Sequence, residues 1–186
     1  MHLSGAIFLI AFILVASAAM LLVLHLTRLG IIIHQHIPDR PRRRMFLASI
    51  SFIVTFLAVR LLVASITHHV GPFGYVEMHG QHIHHLVWGI LLLLASGYAT
   101  LSEWGTRATP NSILASHILS IMYGVGAALT LDEFALWLSL DPLAYWSHEG
   151  RLSVDAVILF GALLAMGAWG APLLHKVEKE EKKLAG

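Results

Sequence analysis

The sequence predicts an all-α fold, a polytopic membrane helix bundle of about five transmembrane helices with its N-terminus outside and its C-terminus inside. Three observations lead there: an apolar composition, five apolar runs of spanning length, and a one-sided distribution of Lys and Arg. Of 186 residues, 57% are hydrophobic and 12% charged, and the mean hydropathy is +0.74. A soluble domain carries roughly 25% charged residues. The formal net charge of +1 argues against nucleic acid as a partner. With no cysteine in the chain, disulfides, thiolate metal sites and thiol nucleophiles are excluded. Thirteen histidines against 12 Lys and Arg is the unusual count.

Crossing hydrocarbon takes about 20 apolar residues. The first run covers 5–24 and extends toward residue 33. Its Ala16-Ser17-Ala18 has the look of a signal-peptidase site, but a basic leader is missing and the run is too long, so it reads as a retained helix. The second run is 45–66, the third about 84–101, the fourth 113–138 and the fifth 152–174. Together they make one transmembrane domain over 1–175, followed by a charged tail over 176–186. Gly89, Gly97, Gly124, Gly126, Gly161 and Gly167 lie within these runs and permit close helix contacts in lipid. His117, Ser120, Gly124, Ala128 and Asp132 follow one face of the fourth helix, which predicts that this face looks into the bundle.

Orientation follows from the loops. Arg40, Arg42, Arg43 and Arg44 precede the second run, Arg107 follows the third, and Lys176, Lys179, Lys182 and Lys183 occupy the tail. The 67–83 loop has no Lys or Arg, and the 139–151 loop has Arg151 alone. Basic loops stay in the cytoplasm. Five spans with the N-terminus outside put every basic region on one side.

That orientation gathers polar residues at the outer end. Between 67 and 85 lie His68, His69, His79, His82, His84 and His85, together with Glu77. The fourth helix brings Asp132 and Glu133 there, Arg60 lies about two turns short of the outer end of the second, and Asp155 opens the fifth. Imidazole and carboxylate together are a ligand set for first-row metals. His82 and His85 share a face if the third helix has begun by residue 82, with His79 one turn back. The expected metal ligands are His79, His82, His85, Asp132, Glu133, Glu77 and Asp155, with zinc or iron ahead of copper or manganese. Asp132 and Glu133 are the candidate catalytic groups, and Arg60 the candidate substrate-binding group, because guanidinium suits carboxylate or phosphate.

Plainer readings stand beside these. A histidine-rich outer loop also serves as a solvated linker. Carboxylates within a span face the interior with a partner, and a structural bridge from Asp132 or Glu133 to Arg60 satisfies that demand. Asp155 suits the first turn of its helix, where it complements the dipole. Asp141, Glu149 and Arg151 read as loop and helix-end residues, and Ser147 or Ser153 as a cap for the fifth helix. On the inner side His25 and His117 have comparable depth; two facing imidazoles would suit a b-type haem, while unrelated interfacial histidines are the simpler account. No G-x-S-x-G, S-x-x-K, Gly-rich phosphate loop or His-Glu-x-x-His occurs.

The strings His82-Ile83-His84-His85-Leu86-Val87-Trp88-Gly89, Leu129-Thr130-Leu131-Asp132-Glu133-Phe134-Ala135-Leu136-Trp137-Leu138 and Glu149-Gly150-Arg151-Leu152-Ser153-Val154-Asp155-Ala156 resemble those of a family of small bacterial integral membrane proteins. The likeness covers about residues 45–170 and implies a multi-pass protein of the bacterial cytoplasmic membrane, without an activity. Membrane hydroxylases and desaturases also use histidine clusters, but their repeated boxes are cytoplasmic and only His82-Ile83-His84-His85 echoes them.

The expectation is therefore a membrane metalloprotein acting on a lipid or other apolar substrate. The rivals are a proton, ion or metal transport component, a haem protein, and a non-catalytic subunit. The transport reading predicts that polar residues continue across the bundle interior.

Overall fold

A computed structural model describes residues 37, 39–70, 77–78, 81–82, 84–139 and 151–184. In chain order the elements are α1 (Arg40–Thr67), β1 (Glu77–Met78), β2 (Gln81–His82), α2 (His85–Leu101), α3 (Pro110–Asp132), α4 (Phe134–Ser139) and α5 (Arg151–Leu184). The expected second to fifth spans correspond to α1, α2, α3 with α4, and α5. The first span lies outside the described residues, as do His25, His34, His36, His79, Asp141, His148 and Glu149.

Local chemistry sets several of the ends. Pro41 stands in the first turn of α1, and Pro110 in that of α3, where a missing N–H costs nothing. Thr109 caps α3, its Oγ1 accepting from the Ser112 N–H at 3.3 Å. Glu103 (φ 59°) and Gly105 (φ 76°) turn the chain between α2 and α3. A β-carbon at Gly105 would sit 2.7 Å from the Ser116 nitrogen, so this turn is pressed against α3.

α3 is the axis of the bundle and packs against α1, α2 and α5. Small residues let the backbones approach: a β-carbon at Gly124 would strike Ser51 Oγ and the Ala48 carbonyl on α1. One at Gly126 would come within 2.9 Å of the Gly89 carbonyl on α2. Ala48, Phe52, Ala127, Ala128, Val157 and Leu164 form a core joining α1, α3 and α5. Val59, Ile121, Val125 and Leu129 form a second core, covered by Trp88 and Leu92 of α2. Edge-to-face ring pairs, Phe46 with Trp169 at 5.9 Å and Phe52 with Phe160 at 5.5 Å, fasten α5 to α1.

α1 is apolar on its exposed face as well as its buried one, which holds Leu47, Ala48, Phe52 and Val59 beside small polar residues. Ser49, Ser51 and Thr55 are buried, whereas Ile50, Ile53, Val54, Leu57 and Leu61 are exposed. Leu94 and Leu101 on α2 and Ile158, Leu159 and Met166 on α5 are exposed as well. An apolar surface of this extent is what water disfavours and lipid accepts. Among the described residues three helices are long and apolar enough to cross a membrane: Arg40–Thr67, Pro110–Asp132 and Arg151–Gly170. α2 is apolar but has only 17 residues.

Two expectations change. The fourth run is not one helix, because α3 ends at Asp132 and α4 starts at Phe134. Glu133 stands between them (φ −103°, ψ 22°), and the Ala135 N–H turns away to Ser153 Oγ at 2.9 Å. In addition, His82 is not in the third helix. It lies in β2 as the cross-strand partner of Glu77, and α2 begins only at His85. The helical face that His82 and His85 were expected to share does not form.

Candidate functional site

The cluster forms where the C-terminal end of α3 meets the N-terminal end of α2. Consecutive residues at the α3–α4 break point two carboxylates in two directions. Asp132, fully buried, takes Arg60 of α1 as its ion-pair partner, with Nε 2.5 Å from Oδ1 and the guanidinium side chain 20% exposed. This is a close charge contact rather than an aligned hydrogen bond. Arg60 also donates through Nη2 to the Asp132 backbone carbonyl at 3.3 Å. A cation at the end of α3 thereby meets both the side chain and the exposed carbonyl end of the helix dipole. The Phe56 ring lies 5.4 Å beneath the guanidinium carbon, holding the arginine from its other side.

Glu133 serves the facing terminus. Its Oε2 accepts the Leu86 N–H at 3.0 Å, which satisfies one of the free donors at the start of α2. No side chain of its own caps α2, so the cap comes from another helix. Oε1 contacts His84 Nδ1 at 2.8 Å.

His85 joins the two acids. Its Nε2 lies 3.1 Å from Asp132 Oδ2, and its Nδ1 lies 3.6 Å from Glu133 Oε1. An ionised carboxylate only accepts, so the bond to Asp132 places a proton on Nε2. Arg60, Asp132, His85, Glu133 and His84 thus form one connected chain drawn from α1, the α3–α4 break and the start of α2. Arg60 against Asp132 and Glu133 leaves a formal excess of one negative charge when both imidazoles are neutral, and a proton or another cation would balance it.

Of the predicted site residues, Arg60, His85, Asp132 and Glu133 come together. Arg60 is held by Asp132, which is the structural bridge posed as its alternative role. Asp155 instead lies on the exposed side of α5, 4.0 Å from Arg151 one turn away. Glu77 and His82 are paired in the short hairpin leading to His84, and His79 lies outside the described residues. Among the described residues no group of three or more His, Asp or Glu side chains is arranged to hold a metal ion. The four carboxylate oxygens of Asp132 and Glu133 face protein partners instead: Arg60, His85, His84 and the Leu86 N–H.

Two contributors escaped the sequence reading. His84 belongs to the cluster, and its signal was a position just ahead of an apolar helix. Ser153, expected to cap its own helix, binds the Ala135 N–H and braces the break beside Glu133.

The opposite end of the bundle is also polar. Arg40 donates to the Arg107 carbonyl at 2.8 Å, and Arg42 to the Ala168 carbonyl at 3.0 Å. Arg44 donates to Ser116 Oγ at 2.7 Å and to the Trp104 carbonyl at 3.0 Å. The loop carrying Arg107 therefore shares an end with the arginines of α1, as the distribution of charge required. No family model, no curated protein and no solved structure matches the chain, so the family likeness rests on the three strings alone.

Proposed function

We propose that the chain is a multi-pass protein of the bacterial cytoplasmic membrane, crossing five times with its N-terminus outside, and that the outer cluster is a proton-exchanging relay of a transport component. The membrane part is supported by the exposed apolar face of α1 and by two polar layers. Arg44 and Arg60 lie sixteen residues apart on α1, about 24 Å along a helix, with no charged residue between them. That separation is close to the thickness of a hydrocarbon core, roughly 30 Å.

The observation that carries the relay is His85 standing between two buried carboxylates. Imidazole donates from one nitrogen while accepting at the other. A proton leaving Nε2 for Asp132 Oδ2 is replaced by one arriving at Nδ1 from the Glu133 side, across a gap that one water or a small ring rotation closes. One proton enters and one leaves, and the imidazole ends with its tautomer exchanged. A second ring rotation resets it. His84, partly exposed, supplies the contact toward solvent. Ser49, Ser51 and Thr55 on α1, with Ser116 and Ser120 on α3, are buried as well, and Ser49, Ser51 and Ser120 donate to carbonyls of their own helices.

A metal reading keeps one specific observation. The hairpin pairs Glu77 with His82 in register, two residues ahead of His84 in the chain. In that version His84 and His85 leave their carboxylates for zinc or iron, which would activate water for chemistry on a lipid substrate.

Both readings are tested on tag-free protein. In proteoliposomes with an internal pH dye and an imposed membrane potential, the relay predicts proton flux above empty vesicles and at least a tenfold loss in His85→Gln. Glutamine keeps hydrogen-bonding capacity but cannot carry the proton. Wild-type flux equal to that of empty vesicles would overturn the relay. Stoichiometric zinc or iron by elemental analysis, lost in the His84→Ala/His85→Ala variant, would install the metal site in its place.

A further inference from the structure

The arginine end of the bundle holds more charge than its own contacts use. Arg40, Arg42, Arg43, Arg44 and Arg107 gather there, with Asp39 and Glu103 as the acids within the same two segments. The acceptors of Arg40, Arg42 and Arg44 are carbonyls and one serine hydroxyl. Each guanidinium has five N–H donors. These bonds use one from Arg40, one from Arg42 and two from Arg44, so they fix the side chains while leaving donors and positive charge to spare.

Beside them lies an open cavity of about 440 Å³, lined by the 102–107 loop with Ser112 and Ala115. Its size falls in the range of ligand pockets, roughly 300–1,000 Å³. Trp104 on the rim is 63% exposed, and a tryptophan of this kind suits the headgroup level of a bilayer. Arg44 stands directly before the apolar stretch of α1. With α1 spanning the bilayer as proposed, this cationic end falls at the level of the lipid phosphates.

We propose that this end binds the phosphate of an anionic phospholipid in the adjoining leaflet. Arg40 and Arg107 would contact the phosphate at the mouth of the cavity. Arg44, held by Ser116 and Trp104, fixes the loop against α3 so that the site exists before the lipid arrives. The proposal rests on the membrane reading above but not on the relay.

The test is a thermal-shift titration of the full chain in neutral detergent with three probes: phosphatidylglycerol, phosphatidylcholine and inorganic phosphate. A ligand that binds only the folded state raises the apparent Tm with concentration. Phosphatidylglycerol should do so saturably, phosphatidylcholine should not, and inorganic phosphate should need far higher concentration. Arg107→Gln, whose side chain makes no bond that the fold requires, should weaken the lipid about fivefold, the effect expected per basic residue near a lipid surface. Arg40→Gln/Arg107→Gln should weaken it further. Equal shifts with both lipids, unchanged affinity in the two variants, or inorganic phosphate matching phosphatidylglycerol would each overturn the proposal. Detergent solution is indifferent to which way the chain faces, so a failure here is separate from a failure of the topology.

Discussion

Asp132 and Arg60 illustrate what one residue can commit a fold to. A carboxylate with no solvent exposure stays charged only beside a partner, and removing one member of a buried pair costs more than replacing both. Asp132→Ala should therefore destabilise the protein by about 3–5 kcal/mol in denaturant titration of purified protein. Arg60→Met/Asp132→Leu should recover most of that loss, because no unpaired charge is left behind. If the double variant is no more stable than the single one, the pair is not the main partner of Asp132. The prominence of these two residues was legible in the sequence, since each interrupts an apolar run. The role of His84 was not. It depends on Glu133 turning out of α3 toward the start of α2, and no local pattern encodes that turn.

At the level of elements, glycine spacing decides how closely α3 can be approached. Gly124 and Gly97 make a matched comparison. A β-carbon at Gly124 would overlap Ser51 Oγ and the Ala48 carbonyl, whereas one at Gly97 meets nothing within 4 Å. Gly97→Ala should stabilise by about 0.5–1 kcal/mol through reduced backbone freedom. Gly124→Ala should destabilise by about 1–3 kcal/mol through overpacking. Apparent Tm values of the two variants check the opposite signs, and a shared sign would mean that the α1–α3 contact is looser than described. All five predicted runs were located by apolar length, and the described helices fall on four of them. The break at Glu133 was hidden because neither proline nor glycine marks it; Ser153, from a distant part of the chain, takes the N–H that a continuous helix would have used. The hairpin at 77–82 was hidden for another reason. Two-residue strands leave no alternation to read, so the histidines there were assigned to a helix that starts three residues later.

For the whole molecule, the two polar layers organise the rest. The basic layer is legible from sequence because arginine counts in loops report sidedness directly. The acidic and histidine layer is legible as a neighbourhood, since topology alone brings segments 60 to 133 to one end. Which members touch is a matter of three-dimensional packing, and Asp155 shows the difference: it was grouped with the cluster by depth, yet it pairs with Arg151 on an exposed face of α5. The proposed relay and the proposed lipid site use opposite ends, and both proposals require those ends to face opposite sides of a membrane.

Single-cysteine labelling tests that claim most directly, and the native chain has no cysteine to remove. His69, just past α1, and Thr106, in the α2–α3 loop, are both exposed. In intact cells a membrane-impermeant maleimide should label His69→Cys, and should reach Thr106→Cys only after the membrane is permeabilised. Labelling of both positions in intact cells, or of Thr106→Cys alone, would contradict the account.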